Sequence, residues 1–266
     1  MACCILVIHI TGLYAKDPSP EQLIADHLKS IGDPSTLSQI KSINLDGTAE
    51  VHFILGIQGD LYGTAMLVSQ GPKMSISMKF QDFNYSGEHL AYDGKSVTVS
   101  NYEVGMKSPL AVFIRSYNKI MKNGMIGGVF SRAWPLFDIN GNKPRNMKVR
   151  KTKVDGNELY EIEYSPRDSH GDMKIHLYFD PETYRHVRTE YKARNYDSGG
   201  RLNTDVLTEK FEDFRQVGAL TLPHSYTLDF QQDYSHEVFI ANWKISAQEI
   251  TFDAPDIDVK IFNVEQ

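Results

Sequence analysis

The sequence predicts a mainly β protein with helices, built as a single curved antiparallel sheet (an incomplete barrel) whose concave side is covered by helical segments. Three observations lead there. Residues Ile43 to Gly105 and Met147 to Phe252 alternate apolar and polar side chains with a period of two. Glycine-containing turns recur between those runs at hairpin spacing. One apolar segment at helical spacing, Ser108 to Phe137, stands between the two strand-rich regions. A chain of 266 residues can bury one large core, and no linker rich in Gly, Pro or Ser interrupts it. The organisation expected is a segment 1–15 that is removed and a single domain, 16–266, with a lid-like insert at 108–137.

The elements follow in order. Cys3 to Ala15 is an apolar run too short to cross a bilayer, for which about 20 residues are needed. It fits the core of a signal peptide with Ala15 as the last residue removed, and the exported form then begins near Lys16. A buried first strand is the other reading. Both cysteines, Cys3 and Cys4, lie inside this run, so the mature chain would hold no thiol and no disulfide. Ser19-Pro20-Glu21-Gln22 then opens a helix: Ser19 caps it, Pro20 suits its first position and Glu21 favours its positive end. Leu23, Ile24, His27, Leu28 and Ile31 recur at helical spacing until Gly32. Asp33-Pro34-Ser35 starts a further short turn or helix carrying Leu37 and Ile40.

From Ile43 the period becomes two. Ala49, Val51, Phe53 and Leu55 share a face, as do Leu61, Gly63, Ala65 and Leu67 in the next strand. Met74, Ile76, Met78 and Phe80 continue the pattern with Ser75, Ser77 and Lys79 opposite. Asp93-Gly94 turns the following hairpin. The central segment begins at Ser108-Pro109, runs through Phe113, Tyr117, Ile120 and Met121 to a stop at Asn123-Gly124, and resumes as a second helix from Met125 to Trp134. Strands return at Met147, with Asp155-Gly156 and Asp180-Pro181-Glu182-Thr183 as turns. About ten to eleven strands are expected in all.

The chemistry-bearing residues are sparse. Lys+Arg of 28 against Asp+Glu of 34 leaves a net charge of −6, which excludes the basic footprint of a nucleic-acid partner. His52, His89, His170, His176, His186, His224 and His236 are scattered without a metal-ligand spacing, so no metal and no cofactor is expected. No nucleophile elbow or phosphate loop occurs, and no catalytic residue and no enzyme is predicted. Glu161 and Glu163 share a strand face opposite Tyr160 and Ile162, and are expected to face water. Lys148, Arg150, Lys151 and Lys153 form the one basic cluster. It reads as a solvated or lysine-protected edge strand, with an anionic membrane surface or partner as the alternative.

Taken in order, several phrases resemble the LolA/LolB-like family of periplasmic lipoprotein-sorting and carrier proteins, in its uncharacterised bacterial branch. They are Glu21-Gln22-Leu23-Ile24-Ala25, Tyr92-Asp93-Gly94-Lys95, Leu177 to Thr183, Arg188-Thr189-Glu190-Tyr191, Phe211 to Arg215 and Leu220-Thr221-Leu222-Pro223. The resemblance implies a half-barrel whose apolar cavity, closed by helices, takes acyl chains, and a periplasmic location. The expected function is therefore an exported protein binding or carrying a lipid or an acylated lipoprotein, with no transmembrane helix in the mature chain. The alternative is a cell-envelope sensor or scaffold that uses the same fold to contact envelope proteins. Candidate ligand-binding residues are Phe113, Met121, Met125, Ile126, Phe130 and Trp134, adaptable apolar side chains of the insert that could equally be plain core. Gly127-Gly128 would let this segment pack closely or flex.

Overall fold

The computed structural model describes residues 17–54, 59–100, 108–138, 141, 147–165, 173–196, 200, 202–234 and 237–264. The segment read as a signal peptide, with Cys3 and Cys4, lies outside them, as do Leu55, His170 and His236.

Two helices open the described chain. Helix α1 (Pro20–Ile31) is capped as its sequence demands, with Ser19 Oγ accepting from Gln22 N–H; α2 (Pro34–Gln39) is capped in the same way by Asp33. Five strands follow: β1 (Ser42–Phe53), β2 (Gly59–Gln70), β3 (Lys73–Phe80), β4 (Gly87–Tyr92) and β5 (Val97–Val99). The insert carries α3 (Pro109–Ser116) and α4 (Lys119–Lys122), then 3-10 turns at Gly128–Phe130 and Pro135–Asp138. Seven more strands complete the chain: β6 (Val149–Val154), β7 (Asn157–Tyr164), β8 (Met173–Phe179), β9 (His186–Tyr196), β10 (Leu202–Val217), β11 (Leu220–Tyr234) and β12 (Glu237–Phe252).

All twelve belong to one antiparallel sheet in the order β5-β4-β3-β2-β1-β12-β11-β10-β9-β8-β7-β6, one or two more strands than the sequence suggested. The order explains the insert. Each half of the chain meanders through neighbouring hairpins, and the halves join where β1 pairs with β12. Among the described residues that leaves β5 and β6 as the opposite edges of an open sheet. The chain leaving β5 must therefore cross the whole sheet to start β6, and residues 108–138 make that passage over the inner face.

The inner face is apolar because period-two patterning puts Val51, Leu67, Ile76, Ile162, Leu177, Leu207, Phe211, Leu228 and Trp243 there, each essentially without solvent exposure. Helix α3 packs against β4 and β5, and α1 lies by β11. On the outer face the C-terminal turn Val259–Phe262 covers β3 and β4, where His89 Nε2 lies 3.0 Å from Ile261 O and 2.9 Å from Ser75 Oγ. Ser75 and Ser77, which alternation alone placed towards solvent, are consequently buried.

Candidate functional site

The candidate site is the junction between the insert and the inner face. The apolar residues of the insert were expected to form a second α-helix from Met125 to Trp134. They do not. The first helix already breaks at Tyr117-Asn118, and beyond Asn123 the chain makes short turns. Gly124, Gly127 and Gly128 adopt φ of +67°, +84° and +50°, a left-handed conformation that ends an α-helix and favours glycine. All three also make room, and a Cβ on Gly127 would lie 2.3 Å from Met74 Cε of β3. A Cβ on Gly124 would lie 2.2 Å from Ala133 O, and one on Gly128 would lie 2.8 Å from Phe211 Cζ of β10. The glycine pair thus serves close packing against the sheet.

All six predicted ligand-binding residues are at most 2% exposed. Phe113 meets Phe230 of β11 at 5.3 Å between ring centroids, and Phe130 meets Tyr226 at 6.3 Å. Trp134 lies edge-on to His27 of α1 at 5.2 Å, with His186 of β9 at 5.1 Å. Met121, Met125 and Ile126 join the same core. The structure therefore brings the six together as one apolar layer beneath the insert. Three clefts elsewhere on the protein are lined by none of them. Those clefts, of about 860, 840 and 650 Å³, are bordered by groups such as Arg188 and Glu212, Tyr62 and His89, and His52 and Asn242.

Polar side chains pin this apolar layer at a few points. Glu209 of β10 shares the inner face with Leu207 and Phe211 and is fully buried. Its Oε1 accepts from Gly127 N–H at 2.7 Å and from the Tyr226 hydroxyl at 2.5 Å. Its Oε2 lies 2.7 Å from Tyr191 Oη, which in turn lies 3.0 Å from Met125 O. Tyr191 has one hydroxyl proton for two acceptors, Glu209 Oε2 and Met125 O, and it also bonds to the Thr189 hydroxyl. The network closes when Glu209 is protonated on Oε2: the carboxyl then donates to Tyr191, and Tyr191 donates to the Met125 carbonyl. Burial accordingly pushes the Glu209 carboxyl up to about 7, despite the bonds from Tyr226, Gly127 and Tyr191 that favour its charged form. Nearer α2, Arg132 Nη2 donates to Leu37 O at 2.7 Å and its backbone N–H donates to Ser69 Oγ at 2.8 Å, while the guanidinium lies over Phe137. Burial lowers the Arg132 pKa.

A third contact is aromatic. His27 Nδ1 lies 3.0 Å from Tyr184 O and 3.2 Å from His186 N. Burial lowers His27 to about 4 and holds His186 well below its ordinary value, so both rings are neutral. His27 Nε2 and Trp134 Nε1 are buried without a hydrogen-bond partner.

Elsewhere, the expectation that Glu161 faces water is overturned. It does point to the outer face, but it is buried beneath Arg150 and His176, whose Nη2 and Nδ1 approach its Oε1 at 2.5 and 2.6 Å. Glu163, on the same face, is exposed. Three of the four residues of the basic cluster, Arg150, Lys151 and Lys153, lie on β6, the sheet's edge, and Lys148 just precedes it; Lys151 and Lys153 are exposed, as befits an edge guarded by lysine. Among the described residues no group of three or more His, Cys, Asp or Glu is placed to hold a metal ion, and no helix is long and apolar enough to cross a membrane.

Sequence reasoning passed over Glu209, Tyr191 and Tyr226. The signal was present for Glu209: in Leu207-Thr208-Glu209-Lys210-Phe211 the period of two puts a carboxylate on the same face as Leu207 and Phe211. A charge on an apolar face is the informative exception in such a strand.

No family model matches the sequence, and no curated protein matches it. Among solved structures the chain is similar to a LolA superfamily protein from Nitrosomonas europaea, at 14% identity and a TM-score of 0.49 over 93% of this chain and 99% of that one. It is also similar to a DUF1329 family protein from Desulfovibrio piger, at 9% identity and a TM-score of 0.44 over 91% and 95%. Overlaps of this size carry neither family nor ligand across to this chain.

Proposed function

We propose that this protein binds a hydrophobic molecule, a lipid or the acyl chains of a lipoprotein, between the inner face of its sheet and the insert 108–138. In this reading it works in the periplasm as an exported binding or carrier protein, and the reaction is burial alone. One observation carries it. A wide apolar sheet face is covered by a chain crossing from edge to edge as short turns with glycine joints, anchored by few polar contacts. Such a cover can lift and expose a long apolar surface, against which each methylene of an acyl chain contributes about 0.8 kcal/mol. Phe113, Met121, Met125, Ile126, Phe130 and Trp134 would then line the ligand.

The second reading is a cell-envelope sensor or scaffold that contacts other envelope proteins. The complete burial of those six side chains favours it, since a permanently filled core needs no ligand. Replacing Phe130 with aspartate separates the two. Under the carrier reading Phe130→Asp stays folded by circular dichroism and loses binding of a fluorescent fatty-acid analogue that the wild type binds. A variant that stays folded and binds as before overturns the carrier reading. A variant that unfolds marks a close-packed core and supports the second, because an unpaired buried charge costs several kcal/mol against a total stability of about 5–15 kcal/mol.

A further inference from the structure

The contacts that hold the insert down are also a description of what could replace it. Met125 and Gly127 offer the sheet one carbonyl and one amide N–H, taken by the Tyr191 hydroxyl at 3.0 Å and by Glu209 Oε1 at 2.7 Å. Any ligand that enters between insert and sheet pulls both groups away. Tyr191 then loses its carbonyl acceptor, and Glu209 Oε1 keeps only the Tyr226 hydroxyl of its two donors, at a depth where water is excluded and an unmade bond is expensive. Around them Phe211, Leu207 and Leu228 supply no polar side-chain atom, Thr189 already bonds to Tyr191 and His186, and Tyr226 is already committed to Glu209 Oε1.

We infer that Glu209 and Tyr191 are the polar end of the ligand site and select an acyl chain joined through an amide, whose N–H and C=O replace those of Gly127 and Met125. This rests on the carrier reading and names its ligand class. An ester-linked chain offers the carbonyl to Tyr191 but nothing to Glu209, so the site discriminates by the bond it would leave unmade. The raised Glu209 carboxyl is consistent with a group built to accept from an uncharged N–H rather than to pair with a cation.

The test uses the whole protein and two fluorescent probes with the same pyrene-labelled twelve-carbon chain, one an N-methyl amide and one a methyl ester. The wild type is expected to bind the amide roughly ten- to a hundredfold more tightly, the factor that one buried hydrogen bond supplies. Glu209→Leu is expected to lose that preference while binding the ester at least as well. Glu209→Gln, which keeps an acceptor oxygen and an N–H for Tyr191, is expected to retain it. Equal affinities in the wild type, or a preference that survives in Glu209→Leu, overturns the inference while leaving the carrier reading intact. Binding of neither probe by the wild type overturns the carrier reading, and the inference with it. Because the wild-type ratio is measured on the unaltered protein, the inference can fail even where Glu209→Leu does not fold.

Discussion

Glu161 on the outer face and Glu209 on the inner face both sit in mid-strand with almost no exposure, at 3% and 0%, yet their partners differ in kind. Burial would raise the Glu161 carboxyl, but bonds from Arg150 and His176 outweigh it and hold the group below its ordinary value. Arg150 brings a formal charge, and its own side chain reaches water, being 62% exposed. Glu209 has only neutral donors, two phenols and a backbone amide, and burial wins. One sheet thus carries a carboxylate kept charged by a cation at its rim and a carboxyl that burial lifts to about 7 in its interior. What separates them is whether a cation can reach the group and remain solvated. The outer node fastens strands β6, β7 and β8 to one another; the inner one fastens the sheet to a piece of chain that crosses it.

Three measurements sharpen this contrast. The largest effect is expected for Glu209→Gln followed against pH. The folded carboxyl titrates near 7 against an ordinary value of 4.5, so its contribution to stability is full below about 4.5 and is lost as the pH rises through 7. Glutamine cannot lose a proton, so above pH 7 the variant should be the more stable by on the order of 3 kcal/mol in urea unfolding, with the gap closing toward acid. His27 and His186 also titrate between those limits in the unfolded chain, with the opposite sign, but they are common to both proteins and cancel in the difference. A pH-independent gap would show that Glu209 is charged in the folded protein.

Glu161→Gln should behave the other way, and more weakly. The depressed carboxyl supplies stability at pH values above its unfolded pKa and loses it as the pH falls through the folded one. The variant should therefore be less stable at neutral pH by about 1–2 kcal/mol, a value discounted for the exposed Arg150. The deficit should vanish in acid. Destabilisation that persists at low pH would point to packing rather than charge. The smallest effect is expected from salt. Raising ionic strength to 1 M should reduce the wild-type advantage over Glu161→Gln by about 0.5 kcal/mol, and leave the Glu209→Gln difference at pH 6 unchanged, since no cation faces that carboxyl to be screened. Equal salt sensitivity at the two sites would remove the distinction between rim and interior.

Much of the architecture was legible in the residues. Met74, Ile76, Met78 and Phe80 announce an inward face by period alone, Asp93-Gly94 and Asp155-Gly156 announce their turns, and Ser19-Pro20 announces the start of α1. These signals are local, because a side chain's face and a turn's backbone geometry depend on neighbours a few residues away. The six apolar residues of the insert were legible as a buried set. Their conformation was not: helical spacing from Met125 to Trp134 was overridden by Gly127 and Gly128, whose left-handed backbone fits against Met74 of β3 and Phe211 of β10, strands far away in the chain.

Alternation of apolar and polar side chains by itself determined that the chain makes an antiparallel sheet with one apolar face and that residues 108–137 must be buried on something. Only the tertiary structure decided what covers each face. It buried Glu161 beneath Arg150 and His176, and Ser75 beneath the C-terminal turn, although both point outward as their period requires. It also set Glu209, Tyr191 and Tyr226 from three strands around the backbone of Met125 and Gly127. The physical reason is that period two fixes the side of the sheet a residue occupies, whereas solvation and protonation depend on groups brought there from distant parts of the chain.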